Sequence, residues 1–275
     1  MTQPIIVIIG GGNMARSLLG GLIADGLDPA HLWVADPGED QRQAVQARFG
    51  VRTTSSNEEA ARLADILVLA VKPQILREVA LELAVVVQDR QPLVVSIAAG
   101  IRSIDLDRWL GGGVALVRTM PNTPALVQTG ATALYARPEV NLGQRSQAES
   151  VMRAVGLTLW VEEESLMDSV TALSGSGPAY FFLVMEALER AAVAQGLPEP
   201  ISRLLTLQTA LGAAKMAMES EEDLSILRSR VTSRGGTTER AIEVLKDGGL
   251  EGLFAMALDA AQARSEELAN ILGED

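Results

Sequence analysis

Six residues near the start, Gly10-Gly11-Gly12-Asn13-Met14-Ala15, constrain this chain more than any others. They follow an apolar run at residues 5–9 and open a segment, residues 13–24, with helical spacing. Strand, glycine turn and helix in that order fit the G-x-G-x-x-[GA] phosphate loop of a dinucleotide-binding βαβ unit. Gly10 permits the tight turn, Gly12 lets the backbone approach a pyrophosphate, and Ala15 keeps the helix close to the sheet. The helix N-terminus, opened by Asn13 and Met14, offers unpaired N–H groups and a partial positive charge to phosphates. A glycine-rich turn without function is the alternative, and the strand before and the helix after weigh against it.

The first half continues in the same style. Strands are expected at residues 32–35, 51–53, 66–71, 93–97, 114–117, 131–135 and 157–161, with helical segments between several of them. This alternation predicts an α/β domain with a doubly wound, mostly parallel sheet of Rossmann type. After about Glu163 no convincing strand follows. Helices are expected at residues 178–195, 200–219, 223–230, 238–247 and 250–272. The expected division is therefore a dinucleotide-binding domain at residues 1–163 and an all-α domain at residues 164–275. The helix from Pro178 contains Ala179-Tyr180-Phe181-Phe182-Leu183-Val184-Met185 and is apolar nearly all round, so it must be buried on most sides. So few helical residues cannot easily bury it alone. A dimer interface resolves this; a central helix within one subunit is the other reading.

Composition narrows the chemistry. Acidic residues outnumber basic ones by 35 to 23, for a net charge of −12, which disfavours nucleic acid and anionic membrane surfaces as partners. There is no cysteine, so disulfides, thiolate nucleophiles and cysteine-ligated zinc are excluded, and no metal site is expected. No signal peptide is visible at the start. The uncharged stretch at residues 169–185 carries Ser, Thr, Gly and Pro and does not read as a membrane span. A cytoplasmic location is the default expectation. His31 is the single histidine, placed before the second strand at the edge away from the expected site, and is expected at the surface. Without an available histidine, an alcohol or hydroxyacid dehydrogenase lacks its usual proton carrier. Reduction of an already protonated imine needs none, because hydride addition neutralises the cation.

Several segments are candidates for lining a nicotinamide dinucleotide, NADPH or NADH. Asp36 ends the second strand, where an acid accepts from the adenosine ribose and favours NADH. Asp36-Pro37-Gly38 is equally good turn chemistry, and Arg42, a candidate for a ribose phosphate, is not close in sequence. The cofactor choice stays open. Ala70-Val71-Lys72-Pro73 and Ser96-Ile97-Ala98-Ala99-Gly100 leave the carboxyl ends of two strands, where ligands sit in open α/β sheets. Far along the chain, Ser233-Arg234-Gly235-Gly236-Thr237-Thr238 precedes a helix. Hydroxyls and glycines at a helix N-terminus make a nest for a carboxylate or phosphate. The plainer reading is a capped turn with Thr237 or Thr238 as N-cap. Ser174-Gly175-Ser176-Gly177-Pro178 is a second small-residue cluster, suited to close approach of ligand or chain.

These residues resemble the pyrroline-5-carboxylate reductase family over nearly the whole chain. The markers are the residues from Ile8 to Met14, Ala70-Val71-Lys72-Pro73, Met120-Pro121-Asn122-Thr123-Pro124, the segment from Thr171 to Tyr180, and the loop from Val231 to Thr238, in the family's order and spacing. The resemblance implies a Rossmann domain followed by a helical dimerisation domain, dimers assembled further, commonly into decamers, and hydride transfer to 1-pyrroline-5-carboxylate to make proline. It also implies roles. Ser233, Gly236, Thr237 and Thr238 would bind the substrate carboxylate, Thr171 would sit near the ring nitrogen, and Asn57, Ala70, Lys72, Pro73 and Asn122 would line the cofactor. One departure is that the family usually has Pro where this chain has Arg234. Pro would stiffen the loop by fixing φ, and Arg234 is expected to point into solvent.

Two rivals remain at this level. A β-hydroxyacid dehydrogenase shares the layout but ordinarily uses a lysine of the helical domain, and only Lys215 and Lys246 stand there, neither in a small-residue context. A non-enzymatic dinucleotide-binding regulator would keep the Gly10 loop without needing the Ser233–Thr238 nest.

Overall fold

A computed structural model describes residues 3–274. Its strands are β1 (Ile6–Ile9), β2 (Leu32–Ala35), β3 (Arg52–Thr54), β4 (Ile66–Leu69), β5 (Leu93–Ser96), β6 (Leu116–Met120), β7 (Gly130–Ala136) and β8 (Gly156–Trp160). Helices between them are α1 (Asn13–Ala24), α2 (Glu39–Phe49), α3 (Asn57–Ala61), α4 (Pro73–Arg90), α5 (Ser103–Trp109) and α6 (Leu142–Arg153). The strands form one sheet in the order β3-β2-β1-β4-β5-β6-β7-β8. All neighbours are parallel except β6 and β7. That exception has a simple cause: only a short 3₁₀ turn at Thr123–Val127 links β6 to β7, too little chain for a crossover helix. The doubly wound, mostly parallel sheet expected from the sequence is what forms.

Parallel strands buried on both faces read as continuous apolar runs, and β1 shows why. Ile6 and Ile8 face a core with Leu18, Leu19 and Leu22 of α1 and Val151 and Met152 of α6. Val7 and Ile9 face the opposite core with Leu76, Val79 and Leu83 of α4 and Leu106 and Trp109 of α5. The order reverses beside β1, which pairs with both β2 and β4, so the crevice of a doubly wound sheet opens at the ends of β1 and β4.

The rest of the described chain is helical: α7 (Leu166–Val170), a π turn (Thr171–Gly175), α8 (Gly177–Ala194), α9 (Glu199–Glu219), α10 (Leu224–Arg230), α11 (Thr237–Asp247) and α12 (Leu250–Gly273). Two compact units emerge. One holds the described residues up to Ser176 and those from Ala261 onward; the other is Gly177–Ala260. This division falls later than the change from strands to helices at Glu163. Several contacts join the last turns of α12 to the sheet unit, among them Leu272 on its core, Arg102 to Asn270, and a pair of bonds to α7. Ser265 Oγ donates to buried Asp168 Oδ1 at 2.6 Å, and Ser169 Oγ donates to Gln262 Oε1 at 3.0 Å.

The helical unit has an unusual surface. Among its described residues not one apolar side chain is buried, and Phe181 and Phe182 of α8 are 70% and 65% exposed. Both ends of α8 are nonetheless well specified: Pro178 sits in its first turn, and Gly196 follows its last with φ +97°.

Two neighbouring glycines of α1 test the packing of the sheet unit. A Cβ on Gly21 would stand 2.1 Å from the Ala154 carbonyl oxygen, whereas on Gly20 its nearest neighbour is Phe49 at 3.6 Å. Gly21→Ala is expected to cost about 2–3 kcal/mol by overpacking. Gly20→Ala is expected to gain about 0.5–1 kcal/mol from helix propensity. Urea unfolding midpoints of the two variants check both signs.

Candidate active site

The turn after β1 is built around one close contact. Gly10 has φ +103°, and a Cβ there would lie 2.8 Å from the Ala70 carbonyl oxygen and 3.2 Å from Val71 Cγ1. Gly10 N–H donates to the Ala35 carbonyl at 2.8 Å, and Ala70 N–H to the Ile9 carbonyl at 2.8 Å. The ends of β1, β2 and β4 are thereby drawn together. Gly12 is different: it is exposed, and a Cβ would meet nothing within 4 Å. It also caps α1 without a side-chain hydrogen bond, and no acidic residue stands in the first turn. The N–H groups of Asn13 and Met14 therefore face open space at a helix N-terminus. That combination of room and donors fits a dinucleotide pyrophosphate.

The other expected cofactor residues collect along the same edge. Asp36 stands at the end of β2 and uses both carboxylate oxygens. Oδ2 accepts from Gly11 N–H and Oδ1 from Gly38 N–H, each at 2.8 Å. The turn reading is thus realised, and the same side chain clamps the glycine loop. Arg42, not close in sequence, does reach this turn, because α2 begins at once: its Nη1 donates to the Asp36 and Pro37 carbonyls at 2.7 and 2.8 Å. Arg16 is a cation that the sequence did not single out. Its Nε donates to the Gly11 carbonyl at 3.3 Å, which puts a positive charge beside the loop. Lys72 is exposed and caps α4 before Pro73; its carbonyl accepts from Ile75 N–H at 3.1 Å, and its side chain makes no hydrogen bond or ion pair among the described residues. Ala98 lies buried just beyond β5. Asn57 opens α3 and donates to Glu82 Oε2 at 3.1 Å.

Asn122 and Thr171 are brought to the end of β6 by the protein's own bonds. Asn122 Oδ1 accepts from Ala131 N–H at 2.9 Å and its Nδ2 donates to the Ser174 carbonyl at 3.1 Å. This ties the π turn to the β6–β7 connection. Gly175 packs closely there: a Cβ would stand 2.4 Å from Met120 Cε and would have to displace the end of that side chain. The close approach foreseen for this cluster is therefore to chain. Thr171 Oγ1 donates to the Met167 carbonyl at 2.8 Å, and Ser176 N–H closes the wider turn on the Thr171 carbonyl at 2.9 Å. In this arrangement the Thr171 hydroxyl presents its lone pairs to any further partner. Single π turns recur at functional sites. Arg118 and Glu164 support the region from beneath. Arg118 is 4% exposed, and its Nη1 donates to Glu164 Oε1 at 2.9 Å. Glu164 Oε2 also accepts from Ser103 Oγ at 2.5 Å.

The Ser233–Thr238 loop belongs to the helical unit. Gly236 caps α11 without a side-chain hydrogen bond, so neither Thr237 nor Thr238 is the N-cap that the plainer reading required. Arg234 is exposed and unpaired among the described residues. His31 ends a short 3₁₀ turn before β2, at the amino ends of the strands, opposite the carboxyl ends that carry the Gly10 loop. It is half-buried, not fully at the surface as expected. Among the described residues no cluster of acidic residues or histidine could hold a metal.

A glycine loop, an open helix N-terminus and a sheet that reverses beside them define a dinucleotide-binding protein of the Rossmann class. Comparison with known proteins makes this specific. Residues 164–268 match the family model for pyrroline-5-carboxylate reductase dimerisation, and residues 5–100 match that for NADP oxidoreductase, coenzyme F420-dependent. The pyrroline-5-carboxylate reductase of Pseudomonas aeruginosa is 49% identical over 274 residues, covering 100% of both chains. A solved pyrroline-5-carboxylate reductase of Coxiella burnetii, 48% identical, superposes with a TM-score of 0.94 over 97% of this chain and 99% of its own. A Plasmodium falciparum pyrroline carboxylate reductase with NADP bound does so at 0.86, with 29% identity over 98% and 99% of the two chains. The chain belongs to the pyrroline-5-carboxylate reductase family.

The two loop glycines separate folding from binding. Gly12→Val is expected to fold normally, with a melting temperature close to the parent's, and to weaken dinucleotide affinity at least about tenfold by filling the phosphate space. Gly10→Val is expected to lower the melting temperature itself, through left-handed strain and a clash with Ala70. Thermal melts paired with a fluorescence titration of NADPH check both.

Proposed function

We propose that this chain reduces 1-pyrroline-5-carboxylate to L-proline with NADPH or NADH, the last step of proline biosynthesis. The observation that carries the reading is the Ser233–Thr238 loop. The hydroxyls of Ser233, Thr237 and Thr238 make no hydrogen bond among the described residues, and the N–H groups of Thr237 and Thr238 open a helix that gives them no internal partner. Such a set of donors suits a carboxylate.

The dinucleotide supplies the hydride when bound, and Gly10, Gly12, Asn13, Met14, Asp36, Asn57, Ala70, Val71, Lys72, Pro73, Ala98 and Asn122 are the residues proposed to hold it. The remaining work is binding and orientation by the chain. The loop fixes the substrate carboxylate through Ser233, Gly236, Thr237 and Thr238. Thr171 Oγ1 takes a hydrogen bond from the N–H of the protonated ring. Holding the cyclic imine by its carboxylate and its nitrogen presents one ring face to the donor, and fixed orientation contributes a large part of the rate. Proton transfer is not demanded of any side chain, because the cation becomes a neutral amine on reduction.

We further assign residues 164–275 to substrate binding and dimerisation, the assembled form to a decamer of five dimers, and the location to the cytoplasm. The −12 charge and the absence, among the described residues, of a helix long and apolar enough to cross a membrane support the last.

Turnover of 1-pyrroline-5-carboxylate followed by NADPH or NADH oxidation tests the activity; no turnover with either dinucleotide overturns it. Thr171→Val, which removes the acceptor, is expected to lower kcat/KM by about ten- to a hundredfold. Light scattering across a dilution series tests the assembly, with ten chains the expected mass and a dimer alone the contrary result.

A further inference from the structure

The Ser233–Thr238 loop is held by a residue outside it. Glu239, in the first turn of α11, reaches back so that Oε2 accepts from Gly235 N–H at 2.6 Å. Gly235 is in the left-handed region at φ +73°, and Gly236 N–H donates to the Ser233 carbonyl at 2.9 Å. The loop's four successive N–H groups, from Gly235 to Thr238, thus divide into two pairs. Those of Gly235 and Gly236 are used by the protein. Those of Thr237 and Thr238 are left for a ligand.

Arg234 stands directly before Gly235. A proline stiffens a loop by fixing φ and so reduces the states it must lose on ordering. Arg234 gives no such restriction, and its N–H makes no hydrogen bond among the described residues. The hydrogen bond from Gly235 to Glu239 ties down the very next residue. We propose that Glu239 is a positioning residue for substrate. Its clasp on Gly235 N–H sets the loop before the substrate carboxylate arrives, and it does by hydrogen bonding what proline does covalently. This rests on the proposed function of the loop. Glu239 touches no reacting atom in this scheme. Losing the clasp costs ordering of the loop on binding, which falls on KM and not on the hydride step.

The test compares the parent with Glu239→Ala, Glu239→Gln, Arg234→Pro and the Glu239→Ala/Arg234→Pro double variant in steady-state assays on the full oligomer. Glu239→Ala is expected to raise KM for 1-pyrroline-5-carboxylate about tenfold, with kcat and the KM for dinucleotide within about twofold. Gln, whose side-chain carbonyl can accept the same bond without charge, is expected to keep KM within about threefold. Proline at 234 removes no backbone hydrogen bond, and in the double variant it is expected to recover most of the loss. An unchanged or lowered KM in Glu239→Ala overturns the proposal, the lowered value marking Glu239 as a competitor of the substrate carboxylate. Equal loss in Ala and Gln, or no rescue by proline, also overturns it. Limited trypsin digestion at the Arg234–Gly235 bond, read by mass spectrometry without substrate, keeps the two readings apart. Faster cleavage in Glu239→Ala but not in Glu239→Gln supports the clasp even if the parent turns over no substrate, and equal cleavage in all three counts against it.

Discussion

The helical unit has no interior of its own, and much else in the molecule follows from that. From Gly177 to Ala260 the chain buries no apolar side chain among the described residues, while Leu204, Leu211, Met218 and Leu253 are all more than half exposed. Burying a single side chain of this size stabilises by about 1.5–3 kcal/mol, so leaving this many in water is not a stable end state for helices of ordinary propensity. The cover must come from another chain, and the family model over residues 164–268 is one of dimerisation. A helical unit that relies on such cover has a stability linked to protein concentration.

The sheet unit is organised on the opposite principle. Its two cores are continuous and its site is fixed by backbone contacts at the ends of β1, β2, β4 and β6. Gly10 against the Ala70 carbonyl is an approach that no side chain would allow, and at Gly175 a side chain would have to displace the end of Met120. Beneath them, two charged side chains are held by hydrogen bonds: Arg118 to Glu164, and Asp168 to Ser265. Removing one member of such a pair leaves a buried polar group unsatisfied, which costs more than the bond itself is worth. Thr171 sits one turn beyond Asp168. The end of α12 therefore holds the expected substrate contact by way of a bond between residues far apart in sequence.

How much of this was legible in the sequence follows from the range of each interaction. The central strands β1, β4 and β5 were visible because burial on both faces makes a parallel strand a short apolar run between polar turns. Asn13–Ala24 was visible to the residue, since a glycine turn and helical spacing are both local. The division between compact units was not visible, because it depends on contacts such as that of Ser265 with Asp168 and not on any change of composition. Nor was the π turn at Thr171–Gly175: one extra residue in a helical turn changes no periodicity that a short segment can display. Asp36 was ambiguous for a physical reason. A carboxylate that accepts two backbone N–H groups at a turn and one that accepts ribose hydroxyls are the same residue at the same strand end. Of the site, the glycine loop and the Ser233–Thr238 nest could be read from the residues themselves. The role of Thr171 rested on resemblance.

The absence of a histidine from the site and the state of Thr171 belong together. His31 lies at the amino ends of the strands, away from the Gly10 loop, and the sequence holds no other histidine and no cysteine. Such a site suits a substrate that brings its own activating proton, as the proposed protonated imine does. A threonine free to rotate its hydroxyl would bind a neutral imine nitrogen as donor or a protonated one as acceptor. In the structure the Thr171 hydroxyl donates to the Met167 carbonyl within the helix, which leaves its lone pairs open. Under the proposed function that orientation favours the protonated ring, the form electrophilic enough to accept hydride.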